Sequence, residues 1–185
     1  REALVIVYRP ARLADTRVIS EVYIDTWRST YAGTLPDHVL VGMKADRLSG
    51  SFAKALAHRT EIIMVADHPE HGIIAMGSAG GNRGNNATYS GEIYTLYVHP
   101  DFQNEGIGET LMAHLFRALT KAGHNSAVIW VLARNPSRFF YERMGGQRAG
   151  ERRETLWGTT LQEWGYGWTD LKKIILHKRP RLYTT

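Results

Sequence analysis

Apolar residues recur along this chain with two different periods, and the switches between them mark out its elements. Ile6 to Arg9 is a short β-favouring run that Arg9-Pro10-Ala11 ends. The positions Val18, Ile19, Val22, Tyr23 and Trp27 then fall three or four apart, as on one face of a helix, with Asp15 placed to cap its start. Gly33 and Pro36 break that helix into an exposed turn. Pro36 to Met43 and Lys44 to His58 read as further short helices, the second with Leu48, Phe52, Ala55 and Leu56 on one face. Glu61 to Asp67, the turn from His68 to Gly72, and Ile73 to Ser78 form a hairpin, and residues 80–86 are a flexible loop. Another strand carries Ile93, Leu96, Tyr97 and Val98. From Ile107 the positions Ile107, Leu111, Leu115 and Leu119, widened by Met112, Phe116 and Ala122, predict a helix of about four turns, with Gly123 just past its end. Ser126 to Leu132 is a buried-looking strand, Pro136 to Met144 a short helix stopped by Gly145, and Gln147 to Asp170 two antiparallel strands joined by a turn. Lys172 to Leu176 is expected to extend the last strand or to pair with a neighbouring one.

The sharpest local signal lies between the strand ending at His99-Pro100-Asp101 and the helix at Ile107. Pro100 keeps His99 out of helical conformation. The glycines of Gln103-Asn104-Glu105-Gly106-Ile107-Gly108 allow a tight turn and close approach of a ligand to the backbone. Amides at the start of the helix, backed by its dipole, favour a polyanion such as a pyrophosphate. The rival nucleotide motifs fail: a dinucleotide fingerprint needs Gly where Leu111 stands, and no Gly-Lys-Ser/Thr triplet occurs. Strand, helix and strand from Glu92 to Leu132 make the crossover of a parallel pair.

Composition narrows the picture without redirecting it. The 185 residues suit one domain, and the absence of any apolar run near the roughly 20 residues of a membrane helix leaves a globular reading. The first thirty positions lack the pattern of a secretory signal, so the expected location is cytoplasmic. With no cysteine there is no disulfide framework, thiolate metal site or cysteine nucleophile. His68 and His71 flank a proline in a turn with no third ligand nearby, so no metal is expected. The net charge of +5 fits an anionic ligand or nucleic acid. Part of it, however, sits in Lys172, Lys173, Lys178, Arg179 and Arg181 around an apolar run that reads as a solvated strand edge, which makes nucleic acid the weaker choice.

Gln103, Gly106 and Gly108 resemble motif A of the GCN5-related N-acetyltransferases, where Gln/Arg-x-x-Gly-x-Gly/Ala between strand and helix holds the pyrophosphate of acetyl-coenzyme A. Trp27-x-x-x-Tyr31-x-Gly33-x-x-Pro36 is similar to the segment that borders the acceptor site in bacterial members. Asn135, the helix with Phe140-Tyr141 and the Gly145-Gly146 turn resemble the second half of the cofactor site, and Tyr166-Gly167-Trp168 resembles a bacterial ending. The resemblance implies one α/β domain over 1–185. It would have a motif A core at 92–123, a second half of the cofactor site at 126–146 and C-terminal strands at 147–176. Its sheet would be mixed, mostly antiparallel and flanked by helices, with one parallel pair splayed at the cofactor.

The resemblance also implies roles. Residues Gln103, Asn104, Glu105, Gly106, Ile107 and Gly108 would hold the pyrophosphate. A strand bulge would free main-chain groups of Leu96, Tyr97 and Val98 for the pantetheine arm and the thioester carbonyl, near which the acetyl group would lie. Tyr141 would protonate the departing thiolate, or be a packing residue. Asn135 would bond the cofactor arm, or cap its helix. Glu92 matches the position of a glutamate base, or is a carboxylate that attracts a cationic acceptor; Tyr31 or a water chain is the alternative base. Trp27 and Tyr31 would border the acceptor, or be core and helix-end residues. Apart from the resemblance, Trp27, Tyr31, Trp157, Trp164 and Trp168 are candidates to line an aromatic-walled pocket, or belong to the core or a dimer interface. The expected activity is transfer of an acetyl group to a primary amine, on a small molecule or a protein, by direct attack. A homodimer is compatible with the sequence. A coenzyme-binding sensor without turnover and a basic nucleic-acid-binding protein are the other classes.

Overall fold

The computed structural model describes residues 5–84 and 88–177. Loop residues Asn85 and Asn86 and the tail cations Lys178, Arg179 and Arg181 lie outside them. The described chain forms strands β1 (Val7–Pro10), β2 (Ile62–His68), β3 (Gly72–Gly81), β4 (Gly91–Val98), β5 (Ala127–Leu132), β6 (Gln147–Leu156) and β7 (Thr159–Trp168). Its helices are α1 (Thr16–Tyr31), α2 (Asp37–Val41), α3 (Ala45–His58), α4 (Ile107–Lys121), α5 (Ser137–Arg143) and α6 (Leu171–His177). The strands join in one sheet in the order β1-β2-β3-β4-β5-β7-β6, antiparallel everywhere except between β4 and β5.

That single parallel pair follows from α4, whose crossover carries the chain from the end of β4 back to the start of β5. Its stripe of Ile107, Leu111, Met112, Leu115, Phe116 and Leu119 is almost wholly buried, each side chain contributing on the order of 1.5–3 kcal/mol. The stripe packs against Ile93, Ile129, Tyr166 and Trp168 on one face of the sheet. On the other face Ile19 and Val22 of α1 and Phe52 of α3 meet Ile63, Val65 and Met76. A third cluster joins Leu35 and Leu40 to Leu132 and Leu161. The start of α4 is therefore fixed against the end of β4 by the largest core.

Two local expectations need correction. Residues 172–176 do not extend the sheet: they lie in α6, where Asp170 Oδ1 accepts from Lys173 N at 3.2 Å and Leu171 N donates to Asn125 O at 2.9 Å. Leu171, fully buried against the α4 core, turns the chain along that helix instead of along β7. Asp15 precedes α1 but makes no cap bond to it. Its carboxylate accepts from Arg12 N at 2.7 Å and pairs with Arg9 at 2.7 Å, and Arg9 also reaches Asp67 at 3.1 Å. The Arg9 guanidinium holds the Asp15 carboxyl below its ordinary value.

Candidate active site

β4 changes the side toward which its main chain points. Gly91 N donates to Ser126 O, beside β5, at 3.0 Å, and His99 N donates to Ile74 O of β3 at 2.8 Å. Residues an even number apart in a regular strand would face the same neighbour. The register explains the reversal: Ser78 pairs with Thr95 and Ala79 with Ile93, so Tyr94 is the extra residue of a bulge. Beyond it the alternation turns Tyr97 and His99 toward β3, and Leu96 and Val98 toward the β5 side.

β5 is no longer there to receive them. The parallel pairing runs only through Gly91–Ala127, Glu92–Val128 and Ile93–Ile129, while β5 continues to Leu132 bonded to β7. The strands part, and a cavity of about 980 Å³ opens between them. One end is walled by Phe102, Gln103, Asn104, Gly106, Ile107 and Gly108. The turn is held open by left-handed backbone at Asn104 (φ 65°) and Gly106 (φ 80°). Gly106 heads α4 without a side chain to cap it, so among the described residues the amides of Ile107 and Gly108 are left available to a ligand. Gln103 donates from Nε2 to Val98 O at 3.1 Å, tying the loop to the strand end.

Phe140, Tyr141 and Arg143 of α5 wall the opposite side, with Asn135 before them. Asn135 Oδ1 accepts from Ser137 N at 2.9 Å, so its side chain closes the turn into α5 while the residue borders the cavity. Tyr141 is 5% exposed, packed near Phe140, Tyr166 and Trp168, and burial pushes its phenol well above the ordinary tyrosine value. It remains a neutral O–H donor at the cavity wall.

At the far end lie Thr26, Trp27, Thr30 and Tyr31 of α1, with Trp130, Leu132 and Glu163. Trp27 stacks on Tyr31 with ring centres 4.4 Å apart, and Trp27 Nε1 donates to the Tyr97 hydroxyl at 3.0 Å. Trp157, at the turn between β6 and β7, stands edge-on to Trp27 at 6.1 Å. The other two tryptophans expected there go elsewhere. Trp168 is buried against Phe116 and donates to Met144 O at 3.1 Å, and Trp164, beside Glu163 in sequence, points to the opposite sheet face under the Arg148 guanidinium.

Of the residues singled out from the sequence, Leu96, Tyr97, Val98, Gln103, Asn104, Gly106, Ile107, Gly108, Asn135, Tyr141, Trp27 and Tyr31 converge on this one cavity. Glu105 and Glu92 are not among its walls. Glu92 is 8% exposed, and its carboxylate accepts from Arg83 N at 3.0 Å, beside the Arg83–Glu61 ion pair. Lying before the bulge, where β4 and β5 are still paired, it stands behind the opening and has no direct contact with the space. Glu163, Thr26, Trp130 and Arg143 escaped the sequence reading. Strand alternation with Leu161 and Gly165 puts Glu163 on the sheet face of this aromatic end, but only once the pairing of β7 with β5 is known. His68, considered for a metal, accepts from the amides of Glu70 and His71 at 3.1 and 3.2 Å and organises its own turn.

Comparison with known proteins agrees with this geometry. The FR47-like protein family model matches residues 84–157, the stretch that contains β4, α4, β5 and α5. The uncharacterised N-acetyltransferase YuaI of Bacillus subtilis strain 168 is 28% identical over 91% of this chain and 96% of its own length. Among solved structures, an N-acetyltransferase from Staphylococcus aureus Mu50 superposes with a TM-score of 0.69 at 18% identity, covering 91% of this chain and 99% of that one. PaiA N-acetyltransferase from Thermoplasma acidophilum, in complex with coenzyme A, superposes with a TM-score of 0.64 at 18% identity, covering 89% and 100%. These two likenesses are of fold.

Proposed function

We infer that this chain is a GCN5-related N-acetyltransferase and takes the acetyl group of acetyl-coenzyme A to a primary amine by direct attack in a ternary complex. The observation that carries the reading is the parting of β4 from β5 beyond Ile93 and Ile129, at the point where the uncapped start of α4 meets the same cavity. The coenzyme A bound to PaiA N-acetyltransferase, a protein of the same fold, supports the choice of ligand.

The residues fit that ligand. The amides of Ile107 and Gly108, the left-handed turn at Gly106 and the dipole of α4 suit a pyrophosphate, and Arg143 adds a cation at the wall. The main-chain groups of Leu96 and Val98, released by the bulge, would pair with the pantetheine arm as a substitute strand. The amide among them closest to the thioester would hold its carbonyl oxygen. Acetyl-coenzyme A supplies the activated acyl group. With no cysteine in the chain, no cysteinyl acyl-enzyme forms, and the amine attacks directly.

Tyr141 is the proton donor to the leaving sulfur. Its buried phenol stays protonated until a thiolate develops beside it, and it regains a proton from the nitrogen once the amide bond has formed. Titrating coenzyme A calorimetrically into the protein tests the reading, and absence of binding at high micromolar concentration overturns it. Binding without release of coenzyme A thiol on any amine would instead assign a sensor.

A further inference from the structure

The acceptor end of the cavity carries a charge imbalance. Glu163, on β7, pairs across the sheet with Leu132 of β5 and Arg152 of β6. Its carboxylate accepts from Arg152 Nε at 3.1 Å, and its side chain is 13% exposed. The same guanidinium reaches Glu154 at 3.4 Å and lies over the Trp130 ring at 4.5 Å. Two carboxylates thus share one cation. From α1, Tyr31 faces them with a neutral phenol, and from β5 the partner is the apolar Leu132.

The cavity wall beside this group holds a second unmet demand. Thr26, 8% exposed on α1, borders the cavity, and its buried Oγ1 has no hydrogen-bond partner among the described residues. At the same end of the cavity Trp27 is stacked between Tyr23 and Tyr31, and the Tyr31 ring with the edge of Trp27 offers an aromatic surface to an organic cation. A donor for Thr26, a counter-ion for Glu163 and aromatic faces for the carbon body are together the description of an organic ammonium.

We propose that Glu163 is the acceptor-binding and base residue of this site, and that its substrate is a small organic primary ammonium seated on Trp27 and Tyr31. This rests on the acetyltransfer reading and assigns its acceptor half. The ammonium gives a proton to the Glu163 carboxylate, and the amine then forms the C–N bond as the C–S bond breaks. The thiolate takes its proton from Tyr141, Tyr141 recovers one from the new amide nitrogen, and Glu163 returns its own to water. The sum is ammonium plus thioester to amide, thiol and one proton. Burial and the neighbouring Glu154 carboxylate push the Glu163 carboxyl up to about 7, and Arg152 opposes that shift, so the group is placed to exchange a proton near neutrality. Glu92 accepts from the Arg83 amide and is not among the cavity walls.

The test compares wild type, Glu163→Gln and Glu163→Asp. Calorimetric affinity for coenzyme A is expected to be equal in all three, which also shows that each is folded. Acetylation of phenethylamine, tyramine and cadaverine is followed by thiol release from pH 5.5 to 9.5. Wild-type kcat/KM should fall on the acid side of about pH 7, as the carboxyl protonates. Glu163→Gln should lower kcat/KM at neutral pH by about 100-fold, with the gap narrowing at high pH, and Glu163→Asp should recover part of it. In wild type the ¹³C signal of the Glu163 carboxyl, identified by its loss in Glu163→Gln, should titrate near pH 7 and shift to lower pH when phenethylamine is added to the coenzyme A complex. Superimposable pH profiles for wild type and Glu163→Gln, or a carboxyl midpoint indifferent to phenethylamine, overturn the proposal. Coenzyme A binding with none of the amines acetylated also overturns the acceptor assignment and leaves the cofactor half standing. A wild type that binds no coenzyme A defeats the acetyltransfer reading itself, and the acceptor assignment falls with it.

Discussion

Tyr141 and Glu163 show how burial sets chemistry residue by residue. Both groups are shifted toward their protonated forms, but one lies far above neutrality and the other near it. The first is therefore a standing donor and the second an exchangeable one. Tyr141→Phe is expected to lower kcat by about 100-fold while coenzyme A affinity from calorimetry stays the same. A parallel loss of both would make Tyr141 a packing residue. Glu163 has a further signature in the unfolding equilibrium. Its folded value of about 7 exceeds the ordinary 4.5, so between those values the native state binds more protons than the unfolded chain, and stability falls as pH rises through the window. Urea midpoints from pH 4.5 to 7.5 should therefore drop more steeply for wild type than for Glu163→Gln.

Among the elements, the β4 bulge and the start of α4 do most of the positioning. Gly106 sits at φ 80°, where a side chain is strained, so Gly106→Ala is expected to cost about 1–2 kcal/mol in urea unfolding and to weaken coenzyme A binding. A loss of stability alone would separate the turn from the ligand. The form of this turn is legible in the sequence because it is local: Pro100, Gly106 and the four-residue stripe of α4 declare themselves within a few positions. α6 was misread because Ile174-Ile175-Leu176 has strand-like composition, and the capping contact from Asp170 and the burial of Leu171 outweigh it. Glu92 was placed by its distance along the chain from Gln103. The bulge at Tyr94 and the bond to Arg83 decide its surroundings, and neither is written in local spacing. Glu163 was invisible for the same reason, since its neighbours come from β5, β6 and α1.

For the molecule as a whole, the parting of β4 from β5 beyond Ile93 and Ile129 interrupts the sheet at the cavity. A ligand that bridges β4 and β5 binds the folded state alone and should stabilise it by mass action. Coenzyme A at 100 times its dissociation constant should add about 2.7 kcal/mol and raise Tm by roughly 5–10 °C for a chain of this size. An unchanged Tm at that saturation would mean that the ligand does not span the parted strands. The Trp157-Gly158 turn, with both residues left-handed (φ 46° and 77°), folds the last hairpin back until Trp157 meets Trp27. The walls of the aromatic end come mainly from α1, with Trp130 and Leu132 of β5 and Glu163 of β7, and those of the other end from residues 102–108 before and at the start of α4. On the acetyltransfer reading, substitutions in α1 can therefore rewrite which amine is chosen and leave the turn at 102–108, with the thioester it serves, as it is.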